Sequence, residues 1–213
     1  FLAAFAPGIA AIVLAYVLLT AFRDFRDNFA PEIWTALGYG GQAAVFSLSE
    51  LPVGLVALAG LALVIVIRDN RHALAVIHAM MAGGYAVVGL STLAFQAHLI
   101  APLPWMVLAG SGLYLAYNPV NAVLFDRLIA ASGRVANAGF LMYVADSFGY
   151  LGSVALLLWR NFGQASLDWL QFFIVAAYAT SIIGTVLTVF AGLYLYRRTA
   201  AVAPLKVAAA AQA

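Results

Sequence analysis

The sequence predicts an all-α polytopic membrane fold of six transmembrane helices, arranged as two three-helix repeats. Three observations predict it. Apolar residues make up 66% of the 213 and charged residues only 8%, against about 45–50% and about 25% in soluble domains, so lipid and neighbouring helices must solvate most side chains. Six stretches reach the roughly 20 apolar residues that a helix needs to cross a bilayer. These stretches are rich in Ala and Leu, and far longer than the alternating segments of about ten residues that build a membrane β-barrel.

The first helix is placed near 4–24, and a charge-dense run, Arg23-Asp24-Phe25-Arg26-Asp27-Asn28, closes it. Tyr16, Thr20, Arg23 and Asp27 share a face, which makes Arg23 and Asp27 an i,i+4 ion pair. That pair reads either as a gate at a cavity mouth, where Arg clamps an anion, or as a solvated cluster at the outer surface. The second helix, near 42–67, carries Glu50 among Ser47, Ser49 and Pro52. Pro52 removes a backbone donor, and kinked helices often line transport sites; the alternative is a Glu that reaches the interface or an Arg.

The third helix, near 73–96, is plain, with Gly83 and Gly84 as close-packing positions and His78 as a structural residue. The fourth, near 103–125, holds Tyr114, Tyr117, Asn118, Pro119 and Asn121, of which Tyr114, Asn118 and Asn121 fall on one face. Two amides in hydrocarbon suit substrate hydrogen bonding, or else satisfy the carbonyl that Pro119 frees. The fifth, near 136–159, sets Gly139, Tyr143, Asp146, Tyr150 and Ser153 at 4-3-4-3 spacing. Asp146 lies about ten residues in, near the bilayer midplane. A carboxyl there needs a partner, water or a proton. It serves either proton coupling or a helix–helix hydrogen bond. The sixth, near 168–196, is plain, and the tail 199–213 is expected to be disordered.

Basic residues orient the helices. Arg68, Arg71, Arg127, Arg134, Arg197, Arg198 and Lys206 sit on one side, and Arg23, Arg26 and Arg160 on the other, seven against three. By the positive-inside rule both ends of the chain face the cytoplasm, and a bacterial inner membrane is the expected location. The repeat is read from Phe22-Arg23-Asp24 against Phe125-Asp126-Arg127, and from Glu50 against Asp146, one acid in the second helix of each triplet.

Other chemistry is poorly served. The chain has no cysteine, and His72, His78 and His98 lack metal-ligand spacing, so neither metal nor cofactor is expected. A net charge of +2 spread along the chain offers no patch for nucleic acid. No signal-peptide pattern opens the chain, and Phe1 in place of Met makes it a truncated sequence by expectation. Gly110-Ser111-Gly112 resembles the nucleophile motif of intramembrane serine proteases, but no histidine is placed as its base, so an enzyme is not expected.

The plan resembles the C-terminal six-helix half of a major facilitator superfamily transporter. There the first, second, fourth and fifth helices of each half line the cavity, and here those four hold the strong polar groups. Arg68-Asp69-Asn70-Arg71 is a degenerate echo of the superfamily's cytoplasmic loop motif, lacking its glycines. The segments RDFRDNF (23–29), LFDRLIA (124–130) and NAGFLMYVADSFGYLGS (137–153) resemble an uncharacterised bacterial family of such proteins. The resemblance implies that a companion six-helix half is missing. It also implies that a small solute crosses by alternating access, contacted by Tyr114, Asn118, Asn121, Tyr143 and Tyr150. Asp146 and Glu50 would couple it to protons, and Arg23 and Asp27 would form a gate. The rival reading is a transporter-derived sensor or assembly module that moves nothing.

Overall fold

The computed structural model describes residues 1–163 and 168–200. Every regular element among them is a helix, the form in which a segment satisfies its own backbone hydrogen bonds. α1 spans Leu2–Asn28, α2 Ala30–Ala36, α3 Ala44–Ile65 and α4 Asn70–Gln96. α5 spans Pro102–Pro119 and continues through a π-helical turn, Val120–Leu124, into α6, Phe125–Ser132. α7, Ala138–Leu158, runs into a second π turn, Trp159–Gly163, and α8 spans Trp169–Ala200. Five of these helices are long and apolar enough to cross a membrane: α1, α3, α4, α7 with its π turn, and α8.

The ends differ from expectation where local chemistry overrides hydropathy. α1 runs four residues past 24, because its charged turn is helical rather than a loop. The next connection folds into α2, whose Pro31 sits at a first-turn position that tolerates proline. α4 starts at Asn70, where the Asp69 side chain accepts from the His72 N–H at 2.6 Å. The fourth predicted helix does not stop at 125 but continues to Ser132, ending on Gly133 in the left-handed conformation, φ 61°. α8 extends to Ala200, so Thr199 and Ala200 are helical. The rest of the predicted tail, 201–213, lies outside the described residues.

α4 and α8 pack against each other; α4 also packs on α5, and α8 on α1. α3 lies on α5, and α7 on α1. The pairing is reciprocal. If α1, α3 and α4 form one triplet and α5–α6, α7 and α8 the other, each first helix packs on the second and third helices of the opposite triplet, and the two third helices meet. Glycines permit the tightest crossings. A Cβ on Gly84 or Gly112 would run into the other's carbonyl oxygen, so α4 and α5 touch backbone to backbone. The core follows α1, with Ile12, Ala15, Tyr16, Leu19 and Phe25 all at 0% exposure.

Candidate functional site

Polar side chains gather along the face of α1 that meets α5, α3 and α7. Tyr16, fully buried, donates its hydroxyl hydrogen to Asp146 Oδ1 of α7 at 2.7 Å, and its oxygen accepts from Asn121 Nδ2 at 2.6 Å. Asn121 reaches it from the π turn. Pro119 has no N–H to donate, and the wider winding of residues 120–124 follows directly; such turns recur at functional sites. The Tyr16 ring stacks on Tyr117 of α5, centroids 5.4 Å apart, and the Arg23 guanidinium lies 3.9 Å from the Tyr117 centroid.

Higher on α1 the groups are charged. Arg23 binds Asp24 at 2.6 Å, and the other Asp24 oxygen accepts from Ser153 of α7 at 2.7 Å. Arg26, only 2% exposed, grips Glu50 of α3 with both terminal nitrogens, at 2.6 and 3.2 Å, and reaches Asp27 at 3.1 Å. Ser49 donates to the same Glu50 oxygen at 3.2 Å, and Tyr114 donates to the second oxygen of Asp27 at 3.3 Å. A Cβ on Gly110 would stand 2.8 Å from Arg26 Nη2. The first glycine of Gly110-Ser111-Gly112 therefore makes room for a guanidinium, and the second for α4. The run from Tyr16 to Asp27 covers about 16 Å of helix axis, half the hydrocarbon thickness of a bilayer.

Of the residues singled out in the sequence, Tyr114, Asn121, Asp146, Glu50, Arg23 and Asp27 belong to this network. The expected Arg23–Asp27 ion pair does not form. Arg23 takes its neighbour Asp24, because its chain is laid over Tyr117, and Asp27 turns to Arg26 and Tyr114. Asn118 is half-buried beside the network without a side-chain hydrogen bond among the described residues. Tyr143 and Tyr150 stand apart, 76% and 60% exposed. The stripe of α7 buried against the bundle is Leu141, Ala145, Gly149 and Ser153, so the predicted face meets α1 only along its Asp146–Ser153 edge.

Sequence reading passed over Arg26, Asp24, Tyr117 and Tyr16 as site residues. The signal for Arg26 was the glycine opposite it, which cannot be matched across helices without the fold. Formal charge in the network is uneven: two guanidinium groups face four carboxyl groups, and Asp146 is held by a phenol. A cleft of about 190 Å³ between the π turn, α6 and α7 is lined by Asn121, Asp126, Gly139 and Met142. No His, Asp or Glu cluster among the described residues could hold a metal ion.

A family model described as a family of unknown function (DUF5690) matches residues 1–198. No curated protein and no solved structure matches the chain.

Proposed function

We propose that this chain, which belongs to the family of unknown function DUF5690, is one six-span half of a secondary transporter of the major facilitator type, moving a small solute by alternating access. The carrying observation is the polar seam on α1. Groups costly at bilayer depth are drawn from α1, α3, α5 and its π turn, and α7, while α4 and α8 contribute no side chain to this network. In this reading the sixth span is α5 with its π turn and α6, which follow one another without a break. The reciprocal pairing of the two triplets supports an inverted repeat. The companion half would cover the side where Asp27, Glu50, Tyr143 and Tyr150 are exposed.

Asp146, which accepts from the Tyr16 hydroxyl that Asn121 in turn donates to, takes and releases the coupling proton. The shortage of cations beside four acids supports that role. Asn118, Tyr143 and Tyr150 contact the solute, and the Arg23 to Glu50 cluster is the latch at one end. The three arginines of the poorer side are withdrawn into the bundle: Arg23 at 14%, Arg26 at 2% and Arg160 at 5% exposure. Arg68, Arg134, Arg197 and Arg198 are exposed at the other end, and this asymmetry supports a cytoplasmic position for that end in a bacterial inner membrane.

The absence of native cysteine in this chain makes a direct test clean. Single cysteines at Asn118, Tyr143 and, as a lipid-facing control, Ile182 are exposed to a membrane-impermeant maleimide in cells and in inverted vesicles. Maleimide reacts with thiolate, which forms only in water. Labelling of the first two from both sides, with none at Ile182, is expected. Labelling from one side only would favour the non-transporting module, and none at all would remove the wet passage. In the full-length protein, Asp146→Asn should abolish proton movement driven by solute in dye-loaded proteoliposomes; retained pH-dependent uptake would end the coupling role.

A further inference from the structure

Behind the seam, α4 and α8 run antiparallel and leave a groove of about 280 Å³ on their outer side. Small or apolar side chains wall it: Ala75, Ala79 and Ala82 of α4, and Gly192, Leu193 and Tyr196 of α8. From Ala75 to Ala82 it is about 10 Å long. One end opens on arginines. The Arg71 guanidinium lies 4.1 Å from the Tyr196 ring centroid and gives one N–H to the Tyr196 carbonyl at 3.2 Å. Arg197 follows one turn beyond Leu193 on α8 and is exposed, whereas Arg198 turns to the Tyr194 ring, 5.7 Å from its centroid. Neither Arg71 nor Arg197 enters an ion pair among the described residues. The nearest acid in sequence, Asp69, is engaged on the His72 N–H.

His78 also lines the groove, 5% exposed. Its Nδ1 stands 2.8 Å from the Leu74 carbonyl. A carbonyl only accepts, so Nδ1 carries the proton. Nε2 is then left without a protein partner, a costly state for a polar atom inside a span. The groove thus joins an apolar crease two turns long to an unneutralised basic mouth.

We infer that this groove holds one anionic phospholipid of the leaflet at the arginine end, its acyl chain along the α4–α8 crease and its phosphate at Arg71 and Arg197. A second transmembrane helix would need apolar contact along the whole span, whereas this crease is short and ends in cations. That is the shape of a single amphiphile with an anionic head, and basic pockets between helices on the cytoplasmic side select such lipids.

The test is native mass spectrometry of the full chain, delipidated in detergent and titrated with phosphatidylglycerol or with phosphatidylcholine of the same acyl chains. Phosphatidylglycerol should be retained at roughly tenfold lower concentration. Arg71→Ala with Arg197→Ala should reduce its retention to the phosphatidylcholine level. Ala79→Phe, which fills the crease from an exposed position, should remove both lipids without changing elution or melting; Ala82→Leu serves if that variant misfolds. Equal retention of the two lipids by the unsubstituted chain would overturn the inference. So would phosphatidylglycerol retention that survives the arginine substitutions or a filled crease.

Discussion

Arg26 and Glu50 offer the sharpest energetic test of the seam. Removing one member of a buried ion pair costs about 3–5 kcal/mol, because a charge is stranded, whereas an exposed pair contributes about 0–1 kcal/mol. This pair sits between those limits, with Arg26 at 2% exposure and Glu50 at 48%. Glu50→Ala leaves the guanidinium buried with only Asp27 at 3.1 Å, and should cost about 2–4 kcal/mol. Arg26→Met strands two carboxyl groups that water still reaches, so its electrostatic part should be smaller, about 1–2 kcal/mol. Once the arginine is gone, Glu50→Ala strands nothing. The double variant should therefore fall short of the summed single losses by about 2 kcal/mol. The assay is SDS-driven unfolding in mixed micelles for all four proteins of the cycle. Additivity within about 0.5 kcal/mol would refute the reasoning, since independent sites behave that way.

Other consequences follow from the same contacts. Tyr16→Phe removes the hydroxyl that joins Asp146 to Asn121; at about 0.6 kcal/mol for an average interhelical bond, two lost bonds should lower stability by about 1 kcal/mol in the same titration. Gly149→Leu should cost more, about 1–3 kcal/mol. Its first added carbon already meets Thr20 Oγ1 at 3.0 Å and the Tyr16 ring at 3.1 Å, and the rest must push α7 off α1. A drop in cross-linking between cysteines placed on the two helices would register that separation. Ser111→Ala should leave the protein unlabelled by serine-reactive probes, just as the unsubstituted chain should be, because Gly110 and Gly112 serve packing; labelling of Ser111 would reopen an enzymatic role.

Some of the site could be read in advance because a polar group inside a long apolar run is visible in one dimension. Asp146, Glu50 and Asn121 each interrupt a long apolar run, and each is found in the network. The pairing between them could not be read that way. Helical spacing on α1 puts Arg23 and Asp27 side by side, yet the Tyr117 ring draws Arg23 aside and Arg26 takes Asp27. Spacing on α7 likewise puts Tyr143 and Tyr150 with Asp146, but the stripe chosen for burial passes through Gly149, where a helix without a side chain can approach α1 most closely. The turn after Pro119 adds a further displacement, because a π turn shifts the register on which face arguments depend.

The sequence by itself marked the apolar segments, because the transfer cost of each side chain adds up along the chain; five of them are helices long and apolar enough to cross a membrane. It also determined which polar groups would be expensive. Only the tertiary structure decided how those groups were satisfied, joining Arg26 to Glu50 across 24 residues and Tyr16 to Asp146 across 130. Those choices depend on how each helix is rotated about its axis, and that rotation is set by close packing at glycines and rings contributed by other helices.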